Sequence, residues 1–180
     1  MLRFQRGEEA AFVELYRGNR DRIVNFARRF LGSAARGEEA AQDVFLKLYD
    51  AKKSYKPASR FSTFLYRVAT NHCLNLRARK DAQPTPELDT EREQGPEGAG
   101  PDDAVKNARL RKDLRWALAQ LPDNQRAAIV LCHYEGMSYR EAADALDVSE
   151  AAIKSLVHRA RTTLAELLSG WLQEAQGAKA

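Results

Sequence analysis

The sequence predicts an all-α protein, two helical domains joined by a flexible acidic linker. Three observations carry the prediction. Apolar residues recur at i, i+3, i+4, i+7 spacing along most of the chain, as in Phe61, Phe64, Leu65, Val68 and Ala69, and that spacing turns one helix face to a core. No window alternates with period two for long enough to argue for a strand. Between Gln83 and Asp103 the composition breaks: four prolines, three glycines and almost no large apolar side chain. Such a stretch cannot bury a core and reads as an extended tether. The predicted division is 1–83, a linker over 84–104, and 105–180.

In the first domain, helices are predicted over Glu8–Arg17, Asp21–Leu31 and Gly37–Asp50, the last with Ala40, Ala41, Val44, Phe45 and Leu48 on one face. A basic loop with Pro57 follows, then a fourth helix over Ser62–Arg79. In the second domain, which starts near Ala104, a helix runs to Gln120 and stops because Leu121-Pro122 cannot continue it. Asp123 is placed to cap the next helix, and Gly136 to let the chain leave it in the left-handed conformation.

The strongest local signal is Ser138 to Leu168. Ser138 with Glu141 three residues on is a capping box. Ala142, Ala143 and Leu146 give that helix a small-residue inner face. Asp147-Val148-Ser149 is a short break, and Ser149 caps a second helix in which Ile153, Val157, Ala160 and Leu164 recur. Two capped helices about three residues apart form a helix-turn-helix layout. The open face of the second carries Lys154, Ser155, His158, Arg159 and Arg161. Cations and hydroxyls suit phosphates and base edges.

Composition excludes several classes. With 44% hydrophobic and 30% charged residues, the chain is that of a soluble globular protein, and no run approaches the roughly 20 apolar residues of a membrane span. The N-terminal MLRFQRGEEAAF has no apolar signal core, so a cytoplasmic location is expected. Cys73 and Cys132 lie far apart, each beside a histidine. Adjacent helical residues diverge and cannot easily grip one metal, so packed thiols are expected and no metal site. No Gly-rich phosphate loop or nucleophile–base pairing occurs, so no enzyme, no catalytic residue and no cofactor are expected. The net charge of +4 is uneven: residues 1–83 hold 17 Lys and Arg against 9 Asp and Glu, residues 84–106 hold 2 against 7, and residues 107–180 hold 10 against 9. A basic, an acidic and a near-neutral segment suggest separate tasks.

The predicted fourth helix carries a second pattern. Arg67, Asn71, Asn75 and Arg79 stand at i, i+4, i+8 and i+12 on one polar face. Asparagine amides bond base edges and arginines neutralise phosphate. The loop before it holds Lys52, Lys53, Lys56 and Arg60 flanked by Tyr55 and Phe61, an interleaving that suits single-stranded nucleic acid. On the third helix, Gln42, Asp43, Leu46 and Lys47 alternate charge with apolar area, as protein-docking faces do.

Together these strings resemble the extracytoplasmic-function (ECF, group IV) sigma factors of bacterial RNA polymerase. FVELYRGNRDRIVNFARRFLG, EEAAQDVFLKLY and YKPASRFSTFLYRVATNHCLNLRARK resemble sigma region 2. LRWALAQLPDNQRAAIVLCHYEGMSYREAADALDVSEAAIKSLVHRARTTL resembles region 4. The resemblance implies a factor that binds core polymerase, directs it to promoters and helps melt them. Glu39, Gln42, Asp43, Leu46 and Lys47 would dock on the β′ clamp helices. Ser54, Tyr55, Lys56 and Arg60 would form part of a pocket for a base flipped from the −10 element. Arg67, Asn71, Asn75, Arg77, Arg79 and Lys80 would contact the melted strand. Ser149, Lys154, Ser155, His158, Arg159 and Arg161 would read the −35 duplex. The face around Gln125 to Leu131 and Tyr139 would meet the β flap. An anti-sigma partner and association with the nucleoid in the holoenzyme are also implied, and the acidic linker would thread basic channels of the polymerase, its acidity either mimicking the transcript there or only keeping a tether soluble.

This sequence departs from the family at Ala152, where threonine is frequent, at Leu156, where a basic residue is frequent, and mildly at Glu39, where aspartate is common. A competing reading is a helix-turn-helix regulator that acts without replacing sigma. It accounts for Ser138–Leu168 equally well and leaves the Asn-Arg stripe of the fourth helix unexplained.

Overall fold

A computed structural model describes residues 1–82 and 101–169, with side chains described over 1–79 and 109–169. Every regular element among the described residues is helical: α1 Leu2–Gln5, α2 Glu9–Leu31, α3 Ala34–Asp50, α4 Phe61–Ala82, α5 Pro101–Gln120, α6 Asp123–Ile129 continuing as a π-helical turn over Val130–Tyr134, α7 Tyr139–Leu146 and α8 Glu150–Leu167. The stretch read as linker lies outside the described residues between 83 and 100. At its end the helix begins at Pro101, earlier than expected. Proline suits the first turn of a helix, where its missing N–H has no partner to lose.

The two predicted helices Glu8–Arg17 and Asp21–Leu31 are one. α2 runs 23 residues straight through Gly18-Asn19. A mid-helix glycine costs about 1 kcal/mol, but the continuous helix buries Ile23, Val24, Phe26, Ala27, Phe30 and Leu31 along with Ala11. Burial of several large side chains at about 1.5–3 kcal/mol each outweighs that cost. The Asn19 side chain, which could have turned the chain, instead donates to the Leu15 carbonyl at 2.8 Å.

α2 does end where glycine permits it, at Gly32 with φ 76°, and Ser33 caps α3 by accepting from the Arg36 amide at 3.3 Å. The turn folds α3 back along α2 so closely that a Cβ on Gly37 would lie 2.8 Å from the Arg28 backbone nitrogen. Ala40, Ala41, Val44, Phe45 and Leu48 fill the seam. α4 closes the first half with Leu65, Tyr66, Ala69 and Cys73. α1 plugs its end: Phe4 is fully buried against Phe12 and Tyr49, with ring centroids 5.0 and 5.1 Å away.

The second half is organised by a charge. Arg126 is 1% exposed. Its guanidinium donates to the carbonyls of Leu118 at 2.7 Å, Ala119 at 2.5 Å and Leu121 at 2.9 Å. These carbonyls lie in the last turn of α5, where Leu121-Pro122 ends it; Leu118 also accepts from the Leu121 amide at 3.2 Å, and helix ends leave carbonyls short of intrahelical donors. A fourth bond crosses to Phe30 at the end of α2, at 3.0 Å. Asp123 does not cap α6; Pro122 holds that position without a side-chain bond. The Asp123 carboxylate faces Arg77 and Arg126 instead.

The helix-turn-helix forms as its caps predict. Ser138 accepts from the Glu141 amide at 3.2 Å while the Glu141 carboxylate accepts from the Ser138 amide at 3.0 Å. Asp147 takes the left-handed conformation at φ 54°, and Ser149 caps α8 through the Ala152 amide at 3.1 Å. Ala142, Ala143 and Ala145 pack against Ile153, Val157 and Ala160.

The two halves are packed together. Tyr66 of α4 donates to Glu135, which also faces Arg29 at 3.4 Å. Arg60 pairs with Glu141 at 3.1 Å, and Arg77 Nε lies 2.5 Å from Asp123 Oδ1, off the line of a hydrogen bond.

Candidate nucleic-acid and polymerase interfaces

α8 presents its inner residues Ile153, Val157 and Ala160 to the core, so the helical period turns Lys154, Ser155, His158, Arg159 and Arg161 outward. All five are exposed, as is Ser149 at the helix start. Ser149 uses its hydroxyl as the cap acceptor, so its part in any reading face is to fix the helix N-terminus. Leu156 is half-buried and packs on the core. Its apolar side chain therefore sits beside the reading face, and Ala152 is likewise half-buried.

On α4, Arg67, Asn71, Asn75 and Arg79 are all exposed on one side, opposite Leu65, Ala69 and Cys73. Arg67 lies over the Phe64 ring at 5.4 Å. Arg77 does not join them: it is half-buried and turned to Asp123 of the second half. The Lys80 side chain lies outside the described residues.

The loop before α4 exposes Ser54, Lys56 and Arg60. Tyr55, expected to offer a ring for stacking, is 7% exposed. Its ring packs on Phe64 at 4.9 Å, and its carbonyl accepts from Gln5 at 2.8 Å. It braces the loop from beneath. Periodicity gave no warning, because the ring packs on Phe64 of α4 across the loop and the loop backbone is tied to Gln5 of α1, which was not predicted.

α3 places Glu39, Gln42, Leu46 and Lys47 in solvent, with Leu46 64% exposed. Gln42 and Leu46 border a groove of about 300 Å³ whose other walls are Phe12, Tyr16, Phe45 and Tyr49. An apolar groove with a protruding leucine marks a protein-docking surface. The aromatic walls come from α2 as well as α3, so the α3 pattern alone revealed only half of it. Asp43 turns inward to His72, 3.2 Å away. Burial pushes the His72 imidazole below its ordinary value, with Asp43 pulling the other way.

The expected flap-facing surface is corrected. Arg126 to Leu131 are buried in the second half, which leaves Gln125 and Tyr139 half-buried at its edge. Burial raises the Cys73 thiol to about 12 and Cys132 to about 11, so both stay as packed thiols. No group of three potential ligands gathers among the described residues.

Two family descriptions match this chain: sigma-70 region 2 over residues 15–83 and sigma-70 region 4 over residues 111–164. The RNA polymerase sigma-H factor of Pseudomonas aeruginosa is 30% identical, over 96% of this chain and 94% of that protein. The ECF RNA polymerase sigma factor SigE of Mycolicibacterium smegmatis is 32% identical over 91% of this chain, which spans 65% of SigE's length. CnrH, solved in complex with the cytosolic domain of CnrY, superposes with a TM-score of 0.68 at 25% identity, covering 92% of each chain.

The chain belongs to the ECF sigma factors. It is an alternative sigma factor that directs RNA polymerase to promoters, and sigma factors are initiation factors, not enzymes. The exposed α4 stripe falls within this sigma factor's region 2 match and the α8 face within its region 4 match. No described helix is long and apolar enough to cross a membrane.

Proposed function

We propose that this sigma factor divides promoter recognition between its two exposed polar faces. Lys154, Ser155, His158, Arg159 and Arg161 of α8 read the major groove of the −35 duplex. Arg67, Asn71, Asn75 and Arg79 of α4 hold the melted −10 strand, with Lys56 and Arg60 of the preceding loop at the mouth of a base pocket. The observation that carries this reading is the unbroken exposure of the α4 stripe, four residues long and directly opposite the core face. A protein that reads duplex DNA through α8 alone has no use for it. Unstacking a base costs a few kcal/mol, and capture of that base offsets part of the cost.

The apolar groove at Leu46, bordered by Gln42, takes the β′ clamp helices together with Glu39 and Lys47, exposed on the same helix, and the edge at Gln125 and Tyr139 takes the β flap. The factor works in the cytoplasm on the nucleoid. An anti-sigma protein is a further partner, a reading supported by CnrH having been solved with the cytosolic domain of CnrY.

The test is run-off transcription from fragmented host DNA by sigma-free core polymerase. New starts that depend on this protein and share two upstream motifs support the proposal. DNA binding without any new start counts against it.

A further inference from the structure

The loop between α3 and α4 is gripped from outside at one backbone atom. Gln5, the last residue of α1, donates from its side-chain amide to the Tyr55 carbonyl at 2.8 Å. α1 is itself anchored. Phe4 is fully buried, and the Lys52 ammonium lies over its ring at 4.2 Å. Lys52 also pairs with Glu9 of α2 at 3.0 Å. This loop cation is thus engaged with α1 and α2, while Lys56 is exposed.

What Gln5 holds is the peptide between Tyr55 and Lys56. A peptide unit is planar, so holding its oxygen sets the plane from which Lys56 departs. The peptide on the other side of Lys56 is held too. Its carbonyl accepts from the Ala58 amide at 2.8 Å, a three-residue turn centred on Pro57. Proline fixes its own φ and confines the residue before it to extended backbone. Lys56 therefore stands between two held planes, one set by the loop's own proline and one by α1.

We propose that Gln5 is a positioning residue for −10 recognition: by holding the Tyr55 carbonyl it aims Lys56 at the base pocket. The inference rests on the reading of this loop as the mouth of that pocket. A lysine on a loose loop starts in many directions and attracts any phosphate. One projected from a held backbone favours the base whose acceptors lie along its path, because less order has to be imposed on binding. Gln5 itself touches no nucleic acid; it contributes to promoter selectivity from behind the loop.

The test measures binding of holoenzyme to the single non-template strand across the −10 element of a promoter it transcribes, with each position of the element substituted in turn. Lys56→Ala should weaken base preference at one position. Gln5→Met keeps the side-chain length and removes the donor. It should weaken preference at that same position about 2- to 10-fold, the worth of one hydrogen bond, with affinity for core polymerase and melting temperature unchanged. Added to Lys56→Ala, Gln5→Met should cost nothing more, because the group it aims is gone. Additive losses would overturn the proposal, as would base preference left intact by Gln5→Met and lowered by Lys56→Ala. A fall in core affinity and melting temperature with Gln5→Met would overturn it too, by making Gln5 a residue of the fold alone. Each of these results leaves the loop reading standing. No loss in Lys56→Ala would instead remove the loop from −10 recognition, and this inference with it.

Discussion

The Tyr66 hydroxyl donates a hydrogen bond to the Glu135 carboxylate, joining α4 of the first half to the end of the π-helical turn in the second. Tyr66 is 2% exposed, so the bond is buried, and burial together with Glu135 raises the Tyr66 hydroxyl well above its ordinary value. This bond must break for the proposed function. Elements named −35 and −10 are centred some 25 base pairs apart, about 85 Å of duplex at roughly 34 Å per turn. A compact unit of 150 residues has a radius of gyration of only about 15 Å. The packed form cannot reach both elements, and promoter engagement requires the seam to open.

Tyr66→Phe should therefore ease opening. The lost bond to a charged acceptor is worth about 1–3 kcal/mol. Scattering should report a larger average radius and transcription should not fall. A radius identical to that of the original protein would mean that the Tyr66–Glu135 bond does not hold the seam.

Arg126 makes a sharper stability prediction. Arg126→Ala leaves the Leu118, Ala119, Leu121 and Phe30 carbonyls without their common donor. A buried acceptor left unsatisfied costs about 1–3 kcal/mol, so a loss of at least 3 kcal/mol in denaturant unfolding is expected. Arg126→Lys should recover little of it, because an ammonium cannot span four carbonyls with a planar fork. Full recovery with lysine would show that charge alone suffices.

The fold was legible where its causes are local. Ser138, Glu141, Asp147 and Ser149 specify the helix-turn-helix within a dozen residues, and the alternation of Ile153, Val157 and Ala160 with Lys154, His158 and Arg159 fixes which side of α8 is open. Arg126 was not legible as a core residue. Its reason for burial is a set of carbonyls, one of them on Phe30 far back in the chain, and backbone acceptors leave no mark in a sequence. Gly18-Asn19 misled for the opposite reason: local propensity argued for a break, and burial of the helix on both sides of it won. Tyr55 and the groove at Leu46 share one cause. Periodicity tells which face is covered but not what covers it, so the contributions of α1 to one and of Phe12 and Tyr16 to the other stayed hidden.

The docking groove gives a prediction on binding. Leu46→Glu places a charge on an exposed apolar side chain and should leave the fold intact. Burying a leucine is worth about 1.5–3 kcal/mol, so affinity for core polymerase should fall about 10- to 100-fold in a competition assay. Unchanged affinity would move the polymerase contact away from α3.

His72 gives a prediction on pH. Burial lowers its folded-state value below that of the unfolded chain, while Asp43 opposes and Lys47 and Arg79 reinforce the shift. The unfolded state then binds more protons, so stability rises with pH. The contribution is fully present above the ordinary histidine value and fades as pH falls through the histidine range toward the lowered value. The melting temperature should drop from pH 7 to pH 5 by more in the original protein than in His72→Gln. An equal drop in both would assign the pH dependence to other groups.

The division of labour between α4 and α8 is the central claim, and one paired measurement tests it. Holoenzyme reconstituted with Asn71→Ala or with Arg159→Ala is assayed on a single promoter for strand opening, by permanganate reactivity at the −10 region, and for binding to a −35 duplex lacking the −10 element. Asn71→Ala should reduce opening while leaving duplex binding unchanged. Arg159→Ala should weaken duplex binding about 5- to 150-fold, the equivalent of about 1–3 kcal/mol for an arginine–base contact. Loss of both functions in both variants, or the reverse assignment, would contradict the account.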